Sequence, residues 1–268
     1  MRDRGVAGKA AAAATLAGCV LVLSASPASL QSPGSVPSES RPLPDEETFF
    51  AETRENLARS MRVQNRYAYK ERRTELHMNP FGRLGTGGIV LYEVTPAPDG
   101  SATYRRLLAR DGKPVADSEP ERQERRARPQ GRSAVDDAVE VLSFAMDRRE
   151  TLDGRDTIVV QFEPKPEGKA TTREGRIARV MTGTIWVDEA AREVIRAEAT
   201  AIDSLSYGFG IIARLNEGTQ VTLTREPVDG DIWLPTSISL MGQGRAILFR
   251  RLAIDHVIDW FDYRRIAE

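Results

Sequence analysis

Residues 180–202 read VMTGTIWVDEAAREVIRAEATAI, and the reading of the whole chain grows from them. Val180–Asp188 carries Thr184-Ile185-Trp186-Val187, β-branched and aromatic residues that suit a pleated, half-buried surface. Glu189-Ala190-Ala191-Arg192 turns the chain. In Val194–Ile202, Ile195, Ala197, Ala199 and Ala201 then share one face, because successive strand residues point to opposite sides. Strands joined by so short a connection are antiparallel neighbours. Three alanines in a row make a shallow surface, with room for a helix or a ligand against it.

Similar texture recurs outward from this hairpin. Upstream, Thr157–Glu163 places Ile158, Val160 and Phe162 on one face. Downstream, Thr219–Arg225 and Trp233–Met241 are joined by the turn Val228-Asp229-Gly230-Asp231, and Arg245–Tyr263 alternates Ala246, Leu248, Leu252, Ile254, Ile258 and Trp260. Nearer the N-terminus, Tyr67–His77 and Ile89–Thr95 flank Asn79-Pro80-Phe81-Gly82 and Gly85-Thr86-Gly87-Gly88, a long hairpin connection. Those glycines lack the Lys-Ser/Thr and the following helix of a phosphate loop. Tyr104–Ala109 is a further strand, closed by the turn Asp111-Gly112-Lys113-Pro114. Roughly nine strands with short connections and no βαβ rhythm predict an α+β fold, mainly antiparallel β.

Two helices are predicted beside the strands. One starts near Asp45, where Asp45, Glu46 and Glu47 suit the positive end of the helix dipole, and packs by a stripe of Phe50, Leu57 and Met61. The other follows a capping box at Ser133–Asp136 and runs through Met146. Its residues Val135, Val139, Leu142 and Met146 form a stripe that Val141, Phe144 and Ala145 widen, which predicts a buried helix lying on a sheet. Between them, Ser118–Arg132 is polar, its arginines interspersed with Glu119, Glu121 and Glu124, and reads as a solvated helix or linker.

The first residues have the order of an export signal. Cations in Met1–Lys9 precede an Ala/Leu/Val run over Ala10–Leu23 and small residues at Ser24–Ser29. The run is too short and alanine-rich for a membrane span of ~20 strongly apolar residues. Besides an uncleaved anchor, two cleavage readings stand, and export holds in all three. Ser26-Pro27-Ala28 offers an ordinary site, making 1–28 a signal peptide. Leu16-Ala17-Gly18-Cys19 matches a lipobox, making Cys19 a lipidated N-terminus. The first gives a periplasmic protein, the second one anchored at the outer membrane. Residues 29–44 read as a disordered tether and 45–268 as a single domain.

Composition narrows the function classes. The 268 residues carry a net charge of −1, so no concentrated positive face draws nucleic acid. Cations are overwhelmingly arginine, with lysine only at 9, 70, 113, 165 and 169. Cys19 is the only cysteine and lies in the leader, which leaves the domain no internal disulfide and no thiolate metal site. His77 and His256 are the only histidines, and neither sits in a metal-ligating pattern. With no Gly-x-Ser-x-Gly and no thiol nucleophile, neither an enzyme, a cofactor nor a metal is expected.

Two hairpins and a strand start carry a family resemblance. Gly183–Asp188 followed by Val194–Ala199 resembles a hairpin of the LolA/LolB-like periplasmic lipoprotein-carrier superfamily, and Ile232-Trp233-Leu234-Pro235-Thr236 resembles its later W-L-P strand start. Tyr104–Leu107 with Asp111–Pro114 resembles an uncharacterised branch of exported, lipoprotein-sorting-like proteins. The likeness spans about residues 45–266. It implies a strongly curved, open half-barrel whose concave face is covered by helices, and a non-catalytic carrier of lipid or lipoprotein acyl chains. On that reading Ile158, Val160, Phe162, Ile185, Val187, Ala197, Ala199, Val221, Leu223, Ile238 and Leu240 line a groove, with Val139, Leu142 and Met146 facing it from a movable helix. The alternative is an envelope interaction or stress-sensing scaffold that meets another envelope protein through Tyr207, Phe209, Ile211 and Ile212.

Overall fold

The computed structural model describes residues 41–78, 84–97, 102–116, 119–124, 134–207, 213–242 and 255–266. Cys19, Phe209, Ile211 and Ile212 lie outside these residues, as do the side chain of Tyr207 and the whole stretch 245–254. Among the described residues no helix is long and apolar enough to cross a membrane.

The chain opens with helix α1 (Glu46–Val63) and the strands β1 (Tyr67–Met78), β2 (Leu84–Pro96), β3 (Ala102–Arg110), β4 (Lys113–Pro114) and β5 (Glu121–Glu124). Helix α2 (Ala134–Val141) leads directly into β6 (Leu142–Leu152) and β7 (Arg155–Pro164), and α3 (Arg173–Ala178) precedes β8 (Met181–Asp188) and β9 (Glu193–Ala201). The rest is β10 (Leu205–Tyr207), β11 (Ala213–Leu215), β12 (Gln220–Asp229), β13 (Ile232–Met241) and β14 (Asp255–Arg265). Twelve strands form one sheet in the order β4-β3-β2-β1-β14-β13-β12-β9-β8-β7-β6, with β5 also beside β3, while β10 and β11 pair separately. Every pairing is antiparallel, and the sheet is open: β6 ends the order on one side and β4 with β5 on the other.

The opening hairpin forms as read, with one adjustment. A register shift after Trp186 pairs Val187 with Val194, so Ile195 is the bulged residue. Gly183 lies opposite Ala199. A Cβ there would stand 1.9 Å from the Glu198 carbonyl oxygen and 2.8 Å from Ala199 Cα, so only glycine lets β8 and β9 approach this closely. Gly183→Ala is expected to destabilise the domain by about 1–3 kcal/mol through backbone displacement, read as a lower urea midpoint.

Asp45 caps α1 as expected, its carboxylate accepting from the Thr48 amide at 2.9 Å. The buried face differs from the predicted stripe. Phe49, Thr53 and Ser60 are buried, whereas Phe50, Leu57 and Met61 are only partly so. The reason is polar: α1 rests on the β8–β9 turn, where the Asn56 amide donates to the carbonyls of Ala191 and Arg192, and apolar spacing cannot register that seat. Phe49 anchors a core of Ile158, Val160, Val187 and Val194, with Phe50 and Phe144 packed beside it.

The second helix is shorter than predicted. It ends at Val141, and Leu142, Phe144 and Met146 belong to β6, paired with Pro164, Phe162 and Val160 of β7. Those three residues also alternate at the strand period, so the sequence fits either element, and pairing to β7 decides. The polar segment likewise contributes a strand, because β5 pairs with β3 through Tyr104–Arg122 and Arg105–Glu121. The short α3 was not anticipated. Its N-terminus is held by Asp137 of α2, whose carboxylate accepts from the amides and hydroxyls of Thr171 and Thr172 at 2.7–3.1 Å.

Candidate functional site

Residues paired across an antiparallel ladder share a face, so the register shows which side chains the sheet brings together. Val160, Ile185, Ala197, Leu223 and Ile238 stand side by side on five adjacent strands. The next row on the same face is Phe162, Gly183, Ala199, Val221 and Leu240. Met146 and Phe144 extend the two rows onto β6. Ten of the sheet residues singled out from sequence therefore occupy two neighbouring rows. Ile158 and Val187 belong to a third, beneath Phe49.

Exposure divides these residues. Toward β6 and β7 the face is closed: Ile158, Val160, Phe162, Val187 and Leu142 are at most 8% exposed, packed with α1, α3 and one another. They fill core and do not line a space. Toward β9, β12 and β13, Ala197, Ala199, Val221, Leu223, Ile238 and Leu240 are each partly exposed. Gly183, Ala197 and Ala199 have the smallest side chains of the rows, and Ile185, Ala199 and Val221 pack against the core cluster of Val141, Leu142, Phe162, Met181 and Ala201. Val139 of α2 is partly buried, its carbonyl accepting from Lys165 Nζ at 2.9 Å. Two clefts are lined by other residues: one of about 470 Å³ between α1 and α2, and one of about 550 Å³ beside Arg72, Asp259 and Phe261.

Polar groups bound the apolar rows at two places that the sequence reading passed over. Below Leu223 on the same face, Arg225 is buried with Glu193, the two joined at 2.9 Å. Arg225 also donates to the carbonyls of Val194 and Trp233, and Ser60 of α1 donates to Glu193 at 3.1 Å. Burial pushes the Glu193 carboxyl up and the Arg225 guanidinium down, each opposed by the other's charge. This pair ties α1 to β9 and β12. The alternation Val221-Leu223-Arg225 was the available signal, since it sets an arginine on the apolar face.

The second boundary is at β1. The rows continue through Ile258 and His256 of β14 and then meet Arg73 and Glu75. One position further along, Trp260 pairs with Glu71, and Glu71 with Tyr92. Glu71 is 3% exposed and accepts from Arg73 Nε at 2.6 Å, Arg105 at 3.3 Å and the Trp260 indole at 3.1 Å. The two guanidiniums lie 5.8 and 5.3 Å from the centre of the Tyr92 ring. Among the described residues no three histidine, cysteine or carboxylate side chains are grouped to hold a metal ion.

No protein-family model and no curated protein matches this chain. Solved structures with a similar form include a DUF1329 family protein from Desulfovibrio piger, 17% identical, covering 80% of this chain and 92% of its own, with a TM-score of 0.37. A domain assigned to outer-membrane lipoprotein sorting from Vibrio parahaemolyticus is 12% identical over 82% and 93% of the two chains, with a TM-score of 0.41. A LolA superfamily protein from Nitrosomonas europaea is 13% identical over 84% and 95%, with a TM-score of 0.35.

Proposed function

We propose that this chain is an exported cell-envelope protein that binds an apolar ligand, a lipid or a lipoprotein acyl chain, without catalysis. The observation that supports the reading is the pair of apolar rows running out from under the helices and staying partly exposed across β9, β12 and β13. Apolar surface taken from water there contributes about 25 cal/mol per Å². Export rests on the order of residues in the leader.

The test is native mass spectrometry of gently purified protein, which is expected to show bound lipid. Ala197→Phe places a ring between Ile185 and Leu223 at a partly exposed position. It is expected to weaken binding of a fluorescent acyl probe at least about tenfold while circular dichroism stays unchanged. Undiminished binding would remove these rows from the site. Empty protein that carries another envelope protein through purification would favour the scaffold instead.

A further inference from the structure

Of the two polar boundaries of the apolar rows, the one at β1 includes a partly exposed arginine, and that bears on what kind of apolar molecule fits. On β1, β2, β3 and β5 the same face of the sheet carries Glu71, Glu75 and Glu121 against Arg73, Arg105 and Arg110, three charges of each sign. Glu71 is committed, since its carboxylate already accepts from three donors. The arginines are not. Arg73 gives Nε to Glu71 but its side chain is 41% exposed, and Arg105 keeps a buried Nε–H with no acceptor among the described residues. A buried donor without an acceptor is uncommon enough to call for an explanation. Tyr92 lies against both guanidiniums and Glu71 holds one edge of each, so their orientation is set before anything binds.

From these observations we infer that Arg73 and Arg105 receive the anionic headgroup, carboxylate or phosphate, of an amphiphile whose chain lies along the two apolar rows. The inference rests on the apolar-ligand reading and narrows it. Ala197 and Arg73 are separated by four strand-to-strand steps through Leu223, Ile238 and Ile258. At ~4.8 Å per step that is about 19 Å, the reach of a long single chain. A neutral or cationic head would leave the spare guanidinium donors unmatched, and a cation would meet their charge directly.

Displacement of a neutral acyl probe from the full chain by dodecanoate, dodecyl phosphate and dodecanol separates the possibilities. Dodecanoate and dodecyl phosphate are expected to bind about tenfold more tightly than dodecanol, and the stronger of the two names the headgroup. Arg73→Gln removes the more exposed guanidinium and leaves Glu71 with Arg105 and Trp260. It is expected to bring the anions down to the affinity of dodecanol, which itself stays unchanged, and Arg73→Lys is expected to restore part of the preference. Equal binding of the three compounds by the wild type, or an anion preference untouched by Arg73→Gln, overturns the inference while leaving apolar binding intact. Failure of the probe itself to bind sinks the apolar reading instead. Should Arg73→Gln not fold, the wild-type preference is measured from roughly 50 to 500 mM salt, where it is expected to shrink, and constancy overturns the assignment.

Discussion

Arg225→Met is expected to lower the stability of the domain by about 3–5 kcal/mol, because it leaves the Glu193 carboxylate buried without its paired guanidinium, with Arg59 acting on it only through space. Glu193 is 1% exposed, and among the described residues its remaining side-chain donor would be the Ser60 hydroxyl. The carbonyls of Val194 and Trp233 would lose their donors as well. The double variant Glu193→Met/Arg225→Met removes the charge together with its partner and is expected to regain most of the loss, since well-packed apolar side chains often replace a buried ion pair without penalty. Urea unfolding of the two single variants and the double variant gives the coupling energy. Additive losses would mean that the pair does not act as a unit. The same cycle bears on α1, which Ser60 attaches to this pair. Hydrogen exchange in α1 is expected to rise in Arg225→Met more than in β7, whose core packing is untouched.

The second large effect is expected at Asp137. Its side chain is fully buried, and Asp137→Ala strands the amides and hydroxyls of Thr171 and Thr172 together. A loss of about 3–4 kcal/mol is expected, with a urea midpoint that falls accordingly. Asp137→Asn keeps the shape but turns an amino group toward donors, so an intermediate loss is expected. Burial pushes the Asp137 carboxyl up, but the hydrogen bonds from Thr172 and Thr171 outweigh it and hold the group below its ordinary value of 3.8. A lowered folded-state value means that this contribution is present at neutral pH and is lost as pH falls through it. The stability gap between wild type and Asp137→Asn is therefore expected to be widest above about pH 5 and to narrow below about pH 4. A gap independent of pH would show that the carboxylate's charge is not what the threonines recognise.

What the sequence made legible followed from apolar alternation. The hairpin of β8 and β9, the rows through Val160 to Ile238, and the turns at Asp111-Gly112 and Asp229-Gly230 are each a local pattern with one physical reading. The misreadings arose where a pattern had two. Leu142, Phe144 and Met146 satisfy a helical stripe and a strand alternation alike, and only pairing with β7 separates them. Polar groups stayed hidden for a different reason. Glu193 meets Arg225 across 31 intervening residues, and Glu71 meets Trp260 across a far longer span, so no window of sequence contains both partners. Asp137 follows directly on the capping box at Ser133–Asp136, and its partners Thr171 and Thr172 lie in a segment for which the sequence predicts no element to cap.

An unclosed sheet carries a hazard that a closed barrel avoids: two rims of unsatisfied ladder able to recruit strands from other molecules. The rim strands here are poor templates for that. Along β6 the run Asp147-Arg148-Arg149-Glu150 interrupts the apolar residues, and a register shift between Met146 and Arg148 breaks the regular spacing. At the opposite rim β4 is the dipeptide Lys113-Pro114, whose proline offers no N–H, and β5 is Glu-Arg-Gln-Glu throughout. The sheet can thus stay unclosed while its borders discourage the edge-to-edge stacking that leads to aggregates.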